Sequence, residues 1–166
     1  MAKRIIGLKA VRMGDLAADG GPSTTLTAIG DVYEGGAELS TEDPEKKEFR
    51  NEDGTVIFED VKAGKTTIKF SISDVTPSLL SQLVGGTKSG TGDAEVWNLL
   101  DFPTGKEQTI EIDSKTGQTL VLNRVNVFGK LSGKIGGDAP MLIEITGTIL
   151  KPEKAGVPIM TTKKTA

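Results

Sequence analysis

The chain has 166 residues, 36% of them hydrophobic but only 4% aromatic, with a formal net charge of -3 and neither cysteine nor histidine. Such a length suits one domain with an aliphatic core. The missing residue types exclude disulfides, thiolate chemistry, imidazole acid–base catalysis and the usual zinc and copper ligands.

At the N-terminus, the apolar run from Ile5 to Leu8 is interrupted by Lys9 and Arg12, too short for an export signal. No stretch approaches the roughly 18 apolar residues of a membrane span. The sequence therefore predicts a soluble protein made in the cytoplasm. Residues 1–23 read as an N-terminal arm with one short strand around Ile5 to Val11, closed by the turn cluster Asp19-Gly20-Gly21-Pro22.

Residues 24–150 read as a β domain. Thr24 to Ile29 is strand-like, and Val32 to Leu39 continues with weaker alternation. Ser40 to Pro44 is a turn, Glu45 to Arg50 returns, and Asn51-Glu52-Asp53-Gly54 turns again into Val56, Ile57 and Phe58. Ile68, Phe70 and Ile72 then alternate with Lys69, Ser71 and Ser73, the period of a strand with one buried face. Thr76 and Pro77 start a short helix to Val84, because a hydroxyl caps free amides and proline fits the first helical position. Leu79, Leu80, Leu83 and Val84 share one face of it, and Gly85-Gly86 ends it. So short a helix must dock its leucines on a sheet to persist.

Ala94 to Leu100, holding the only tryptophan, reads as a strand. Gln108 to Asp113 alternates, Ser114 to Gly117 is a hairpin turn, and Thr119 to Leu131 is one long strand. Met141 to Leu150 alternates again, Pro152 stops it, and residues 151–166 read as a flexible C-terminal tail. The fold class is mainly β: a β-sandwich or split β-barrel with one flanking short α-helix.

Charge is unevenly spread. Lys3, Arg4, Lys9 and Arg12 give residues 1–12 a net of +4, and four lysines against Glu153 give residues 151–166 a net of +3. Residues 31–60 carry eleven acids against Lys46, Lys47 and Arg50, a net of -8.

Motifs for chemistry are missing. Ala63-Gly64-Lys65-Thr66 ends like a phosphate loop, but its upstream glycine position is Glu59 and a strand follows instead of a helix. Asn51 to Gly54 shares a fragment of a calcium loop without the twelve-residue ligand pattern. Two carboxylates suffice for a glycosidase, yet Glu42, Asp43, Glu45, Glu48 and Asp53 sit among turn formers and lysines, as on a solvated hairpin. Lys163-Lys164 is a small basic cluster without stacking aromatics, so nucleic-acid binding is not indicated. The reading is of a protein that is not an enzyme and holds no cofactor and no metal.

Lys3-Arg4-Ile5-Ile6-Gly7-Leu8-Lys9, with Gly14-Asp15 and Asp19-Gly20-Gly21, resembles the N-terminal arm of the tail tube proteins (major tail proteins) of long-tailed bacteriophages. Tyr33-Glu34-Gly35-Gly36-Ala37-Glu38-Leu39 resembles their first strand. The strand from Thr67 to Asp74, the helix from Pro77 to Val84 and Gly85-Gly86 resemble their central signature. The similarity spans roughly residues 3–150 and is carried by glycine-and-hydrophobic patterns. It implies a virion protein whose copies form a ring, with six as the expected number. The rings would stack into a tail tube that passes DNA without binding it specifically, with tape-measure and tail terminator proteins as partners. A tube protein of a contractile injection or type VI secretion system is the alternative, and a carbohydrate-binding or adhesin-like β-sandwich module stands further off. Charge asymmetry adds an expectation of its own. The acidic hairpin of one ring should meet the basic arm or tail of the next, through Lys3, Arg4, Glu42, Asp43, Glu45, Glu48, Lys163 and Lys164.

Overall fold

The computed structural model describes residues 4–165. In chain order the strands are β1 (Leu8–Asp15), β2 (Thr27–Ala28), β3 (Glu38–Thr41), β4 (Glu45–Arg50), β5 (Val56–Lys62) and β6 (Thr66–Ile72). Helix α1 (Pro77–Leu83) follows, then β7 (Thr87–Ser89), β8 (Val96–Asn98), β9 (Lys106–Ser114), β10 (Gln118–Ser132), β11 (Leu142–Ile149) and β12 (Met160–Lys164). The fold is mainly β with one short helix.

The main sheet runs β2–β1–β9–β10–β11–β6–β3, and β12 pairs with the first residues of β10. Register makes its inner face mainly apolar, with the buried Gln108 as a polar exception bonded to Asp15. Met13 lies beside Ile110 and Ile110 beside Leu122, while Gly129 faces Ile145, Ile145 faces Phe70, and Ile143 faces Ile72. These side chains form one buried cluster. Closure comes from the segment after β2. The Ile29 amide donates to the Val11 carbonyl on β1 at 3.2 Å, and four residues on the Tyr33 amide donates to the Ser71 carbonyl on β6 at 2.7 Å. One stretch of chain thus joins both ends of the sheet, and the result is a split barrel around an aliphatic core.

Helix α1 plugs this barrel. The Thr76 hydroxyl accepts from the Leu79 amide at 3.3 Å, proline occupies the first turn, and Gly85 and Gly86 follow at φ 107° and 89°. Leu80, Leu83 and Val84 are buried, as their spacing requires. The helix approaches β10 so closely that a Cβ on Gly129 would stand 2.3 Å from the Leu83 carbonyl oxygen. A glycine in the middle of a long strand marks such a backbone approach.

Several local expectations change: the strand expected from Thr24 to Ile29 shrinks to Thr27–Ala28, and that expected from Val32 to Leu39 gives way to β3, which takes in Ser40 and Thr41 of the expected turn. The N-terminal strand lies later than expected, at Leu8–Asp15, and is interior to the sheet because β9 and β2 flank it. Segment 151–166 contributes β12, held by β10 and by the Asn123 side chain, which donates to the Pro158 carbonyl at 2.7 Å. The strand expected from Ala94 to Leu100 shrinks to β8. Among the described residues it pairs only with β7, while the Trp97 indole donates to the Gly85 carbonyl at 2.8 Å. Finally, β5 runs on past Phe58 to Lys62, because β4 offers a partner that far.

Candidate assembly surface

Hairpin β4–β5 leaves the barrel between β3 and β6 and pairs with no other strand among the described residues. Every one of its residues is exposed. Its alternation gives one face to Phe49 and Phe58, whose ring centroids stand 5.9 Å apart, with the Lys47 ammonium 5.3 Å from the Phe49 ring. Glu59 and Val61 lie on the other face, with Lys46 and Arg50 held by Glu59 and Glu48 at 3.5 and 2.6 Å. Ile57 and Phe58 keep 69% and 59% of their surface in solvent. An isolated two-stranded ribbon is marginal in water, so its exposed aromatic and aliphatic residues are unusual in a finished surface.

A second feature is the split itself. Below the bridge made by residues 29–33 the barrel wall is open. The gap is a cleft of about 380 Å³ lined by Ile5, Leu8, Leu39, Ile112 and Leu120 among others. Strand β3 borders it as an edge with no outer partner among the described residues. At the far end of β9, loop residues Leu100 and Phe102 are each 89% exposed.

The third feature is polar. Helix and core take the inner side of β6, β11 and β10, so the outer side presents Lys69, Ser71, Glu144, Thr146, Asn126 and Lys130, with Phe128 as an exposed apolar residue among them. Lys130 holds Glu144 at 3.1 Å and pulls its carboxyl below the ordinary range. Asp15 is lowered in the same way, first by the Lys106 ammonium and then by the Gln108 amide, and Asp19 by Lys154 and the Gly21 amide. The Arg124 guanidinium is raised by its paired bonds to Glu107 at 3.0 and 2.8 Å.

Depressed carboxylates contribute stability that is present above the ordinary carboxylate range and lost as pH falls through their folded-state values. The urea midpoint is therefore expected to decline between about pH 5 and about pH 2. Lys130→Gln, which removes the donor from Glu144, should flatten part of that decline.

Of the residues expected to make contacts, Lys3 lies outside the described residues. Arg4 is exposed, its carbonyl accepting from the Thr116 hydroxyl at 2.7 Å. Glu42, Asp43 and Glu45 stand exposed at the hairpin base, and the Glu42 amide donates to the Lys65 carbonyl at 2.9 Å. Two others are engaged within the chain: Glu48 pairs with Arg50, and Lys163 with the buried Glu111 at 3.0 Å. Lys164 opposes Gln118 at the start of β10. Strand direction puts the arm, the tail and the hairpin base on one end of the barrel. The Gly64–Lys65 turn that ends like a phosphate loop is a tight crossing there, where a Cβ on Gly64 would stand 2.0 Å from the Glu42 carbonyl oxygen.

Sequence reading missed Leu100 and Phe102 because Leu99-Leu100 continues the apolar pattern of β8; only Pro103 hinted that the strand stops. It also missed the outer-face cluster in which Arg12 bonds both Glu111 and Asp113, since those charges are scattered along the chain. Among the described residues no helix is long and apolar enough to cross a membrane.

No protein-family model matches the chain, and no curated protein matches it in sequence. In structure it is similar to the sheath/tube terminator of an extracellular contractile injection system, PVC, in the extended state. That likeness has 14% identity and a TM-score of 0.44, over 98% of this chain and 99% of that one. It is also similar to the tube-terminating cap of the anti-feeding prophage, at 12% identity and a TM-score of 0.37, over 93% and 87% of the two chains. A third likeness is to a chain of the PVC sheath–tube complex, at 15% identity and a TM-score of 0.33, over 76% and 79%.

Proposed function

We propose that the chain is a structural, non-enzymatic subunit of a tail-type tube, assembling with copies of itself into rings that stack. One observation carries this reading: a split barrel extends a hairpin whose residues are all exposed, Phe49, Ile57 and Phe58 among them. A partner surface is what such a hairpin lacks, and a neighbouring copy supplies one in every ring without a second gene product. The edge of β3 adds to this, because pairing between subunits removes an aggregation hazard.

Within the ring, the outer face with Lys69, Ser71, Thr146 and Lys130 lines the lumen, where a wall of mixed charge, polar apart from Phe128, lets DNA or another cargo pass without sticking. Arm, tail and hairpin base share one end of the barrel, so the charge contact runs between neighbours at the same level. Glu42, Asp43 and Glu45 of one copy then face the basic tail of the next, at Lys164. A phage tail and a contractile injection system both fit this subunit; a contractile sheath around tubes in producing cells would identify the second. Tape-measure and terminator proteins are the further partners of the first.

Negative-stain images of the purified chain over a range of concentrations test the reading. Rings or hollow tubes are expected. A protein that sediments as a monomer throughout and gives neither would overturn it.

A further inference from the structure

We propose that loop 99–103 of one copy seats Leu100 and Phe102 in the apolar cleft of the next copy, forming a head-to-tail contact between barrels. This rests on the tube reading for the polymer and names the surfaces that join its units.

Knob and socket match in chemistry. Leu100 and Phe102 are each 89% exposed, and they flank Asp101, whose carboxylate accepts from the Phe102 amide at 2.8 Å. The cleft offers aliphatic walls from Ile5, Leu8, Leu39, Ile112 and Leu120 and a volume of about 380 Å³. A cavity of about 150 Å³ already admits a benzene ring, so a phenyl group and a leucine side chain fit together here.

Charge matches as well. Arg4 and Lys115 adjoin the cleft residues Ile5 and Ser114 in the chain, and the Lys115 side chain lies against Gly7 of the cleft. Neither of these two cations makes an ion pair among the described residues, and nor does Asp101. A loop carrying an acid between two apolar knobs meets a socket rimmed by bases.

Position forbids the contact within one molecule. The loop precedes β9, whereas Ile112 and Ser114 of the cleft lie at its other end. Nine extended residues separate the two by about 27 Å. Only another copy can bring them together, and a contact between two different patches propagates instead of closing as a pair.

Because the chain has no cysteine, engineered thiols report this contact cleanly. Pro103→Cys keeps both knobs, and Ala37→Cys sits in the cleft wall. The double variant, oxidised at concentrations that give tubes, is expected to form a ladder of disulfide-linked oligomers. Pro103→Cys with Ser71→Cys on the polar outer face should not. Leu100→Ser with Phe102→Ser should raise the concentration needed for polymer by more than about tenfold. Tubes that form normally without a Pro103→Cys/Ala37→Cys ladder would overturn this contact and leave the tube reading standing. A ladder from Thr55→Cys at the hairpin tip with Ala37→Cys would overturn it in favour of the hairpin as occupant. Neither polymer nor ladder at any concentration would overturn both.

Discussion

Gly129→Val is expected to destabilise the barrel by at least about 1–3 kcal/mol, the ordinary range for forcing atoms into a packed core. The reason is local. A Cβ at this position would meet the Leu83 carbonyl oxygen at 2.3 Å and its carbon at 2.9 Å, and backbone cannot rotate away as a side chain can. Either β10 bows outward or α1 lifts. If the helix lifts, Leu80, Leu83 and Val84 each lose burial worth about 1.5–3 kcal/mol, so the total rises by several more. Urea unfolding measures the loss. Gly136→Val is the control, because nothing lies near its Cβ position and its φ is not in the left-handed region. Equal stability of the two variants would show that the helix is not seated on β10.

Ile57→Ser with Phe58→Ser is expected to do the reverse, leaving the monomer intact and abolishing assembly. Neither side chain belongs to the buried cluster. Within the monomer the change costs the Phe49–Phe58 contact, about 0.5–1.5 kcal/mol confined to the ribbon. In an assembly both residues would be covered. Two interface anchors at about 2 kcal/mol each shift the assembly equilibrium by roughly a thousandfold. Sedimentation against concentration reads this directly, with the urea midpoint as the check on folding. Unchanged polymer from a folded variant would remove the hairpin from the interface.

The two variants separate what is built into the barrel from what is offered to neighbours, and they correspond to different degrees of legibility in the chain. Strand β6, helix α1 and strands β9 to β11 could be read directly. Ile68, Phe70 and Ile72 alternate without interruption, and Thr76-Pro77 and Gly85-Gly86 bracket four apolar residues at helical spacing. Local pattern and tertiary burial agree there, so period alone suffices. Hairpin β4–β5 was legible as secondary structure, because Asn51 to Gly54 forms a turn with the Arg50 guanidinium donating to the Gly54 carbonyl at 2.9 Å. Its isolation was not legible. An alternating ribbon has the same sequence whether it lies on a sheet or stands in solvent.

By itself, then, the sequence determined the β class, the helix with both its ends, the aliphatic core, and the absence of imidazole and thiol chemistry. Each follows from residue type and spacing over a dozen positions or fewer. The tertiary structure alone decided that residues 8–15 are an interior strand, that residues 160–164 pair with β10, and that residues 29–33 close the barrel. Those outcomes depend on partners about a hundred residues away for β1 and about forty for β6 and β12, and no local pattern encodes a distant partner. It also decided the surfaces. Leu100 and Leu122 are the same residue type, yet one is 89% exposed and the other fully buried, because exposure depends on what the rest of the chain leaves uncovered.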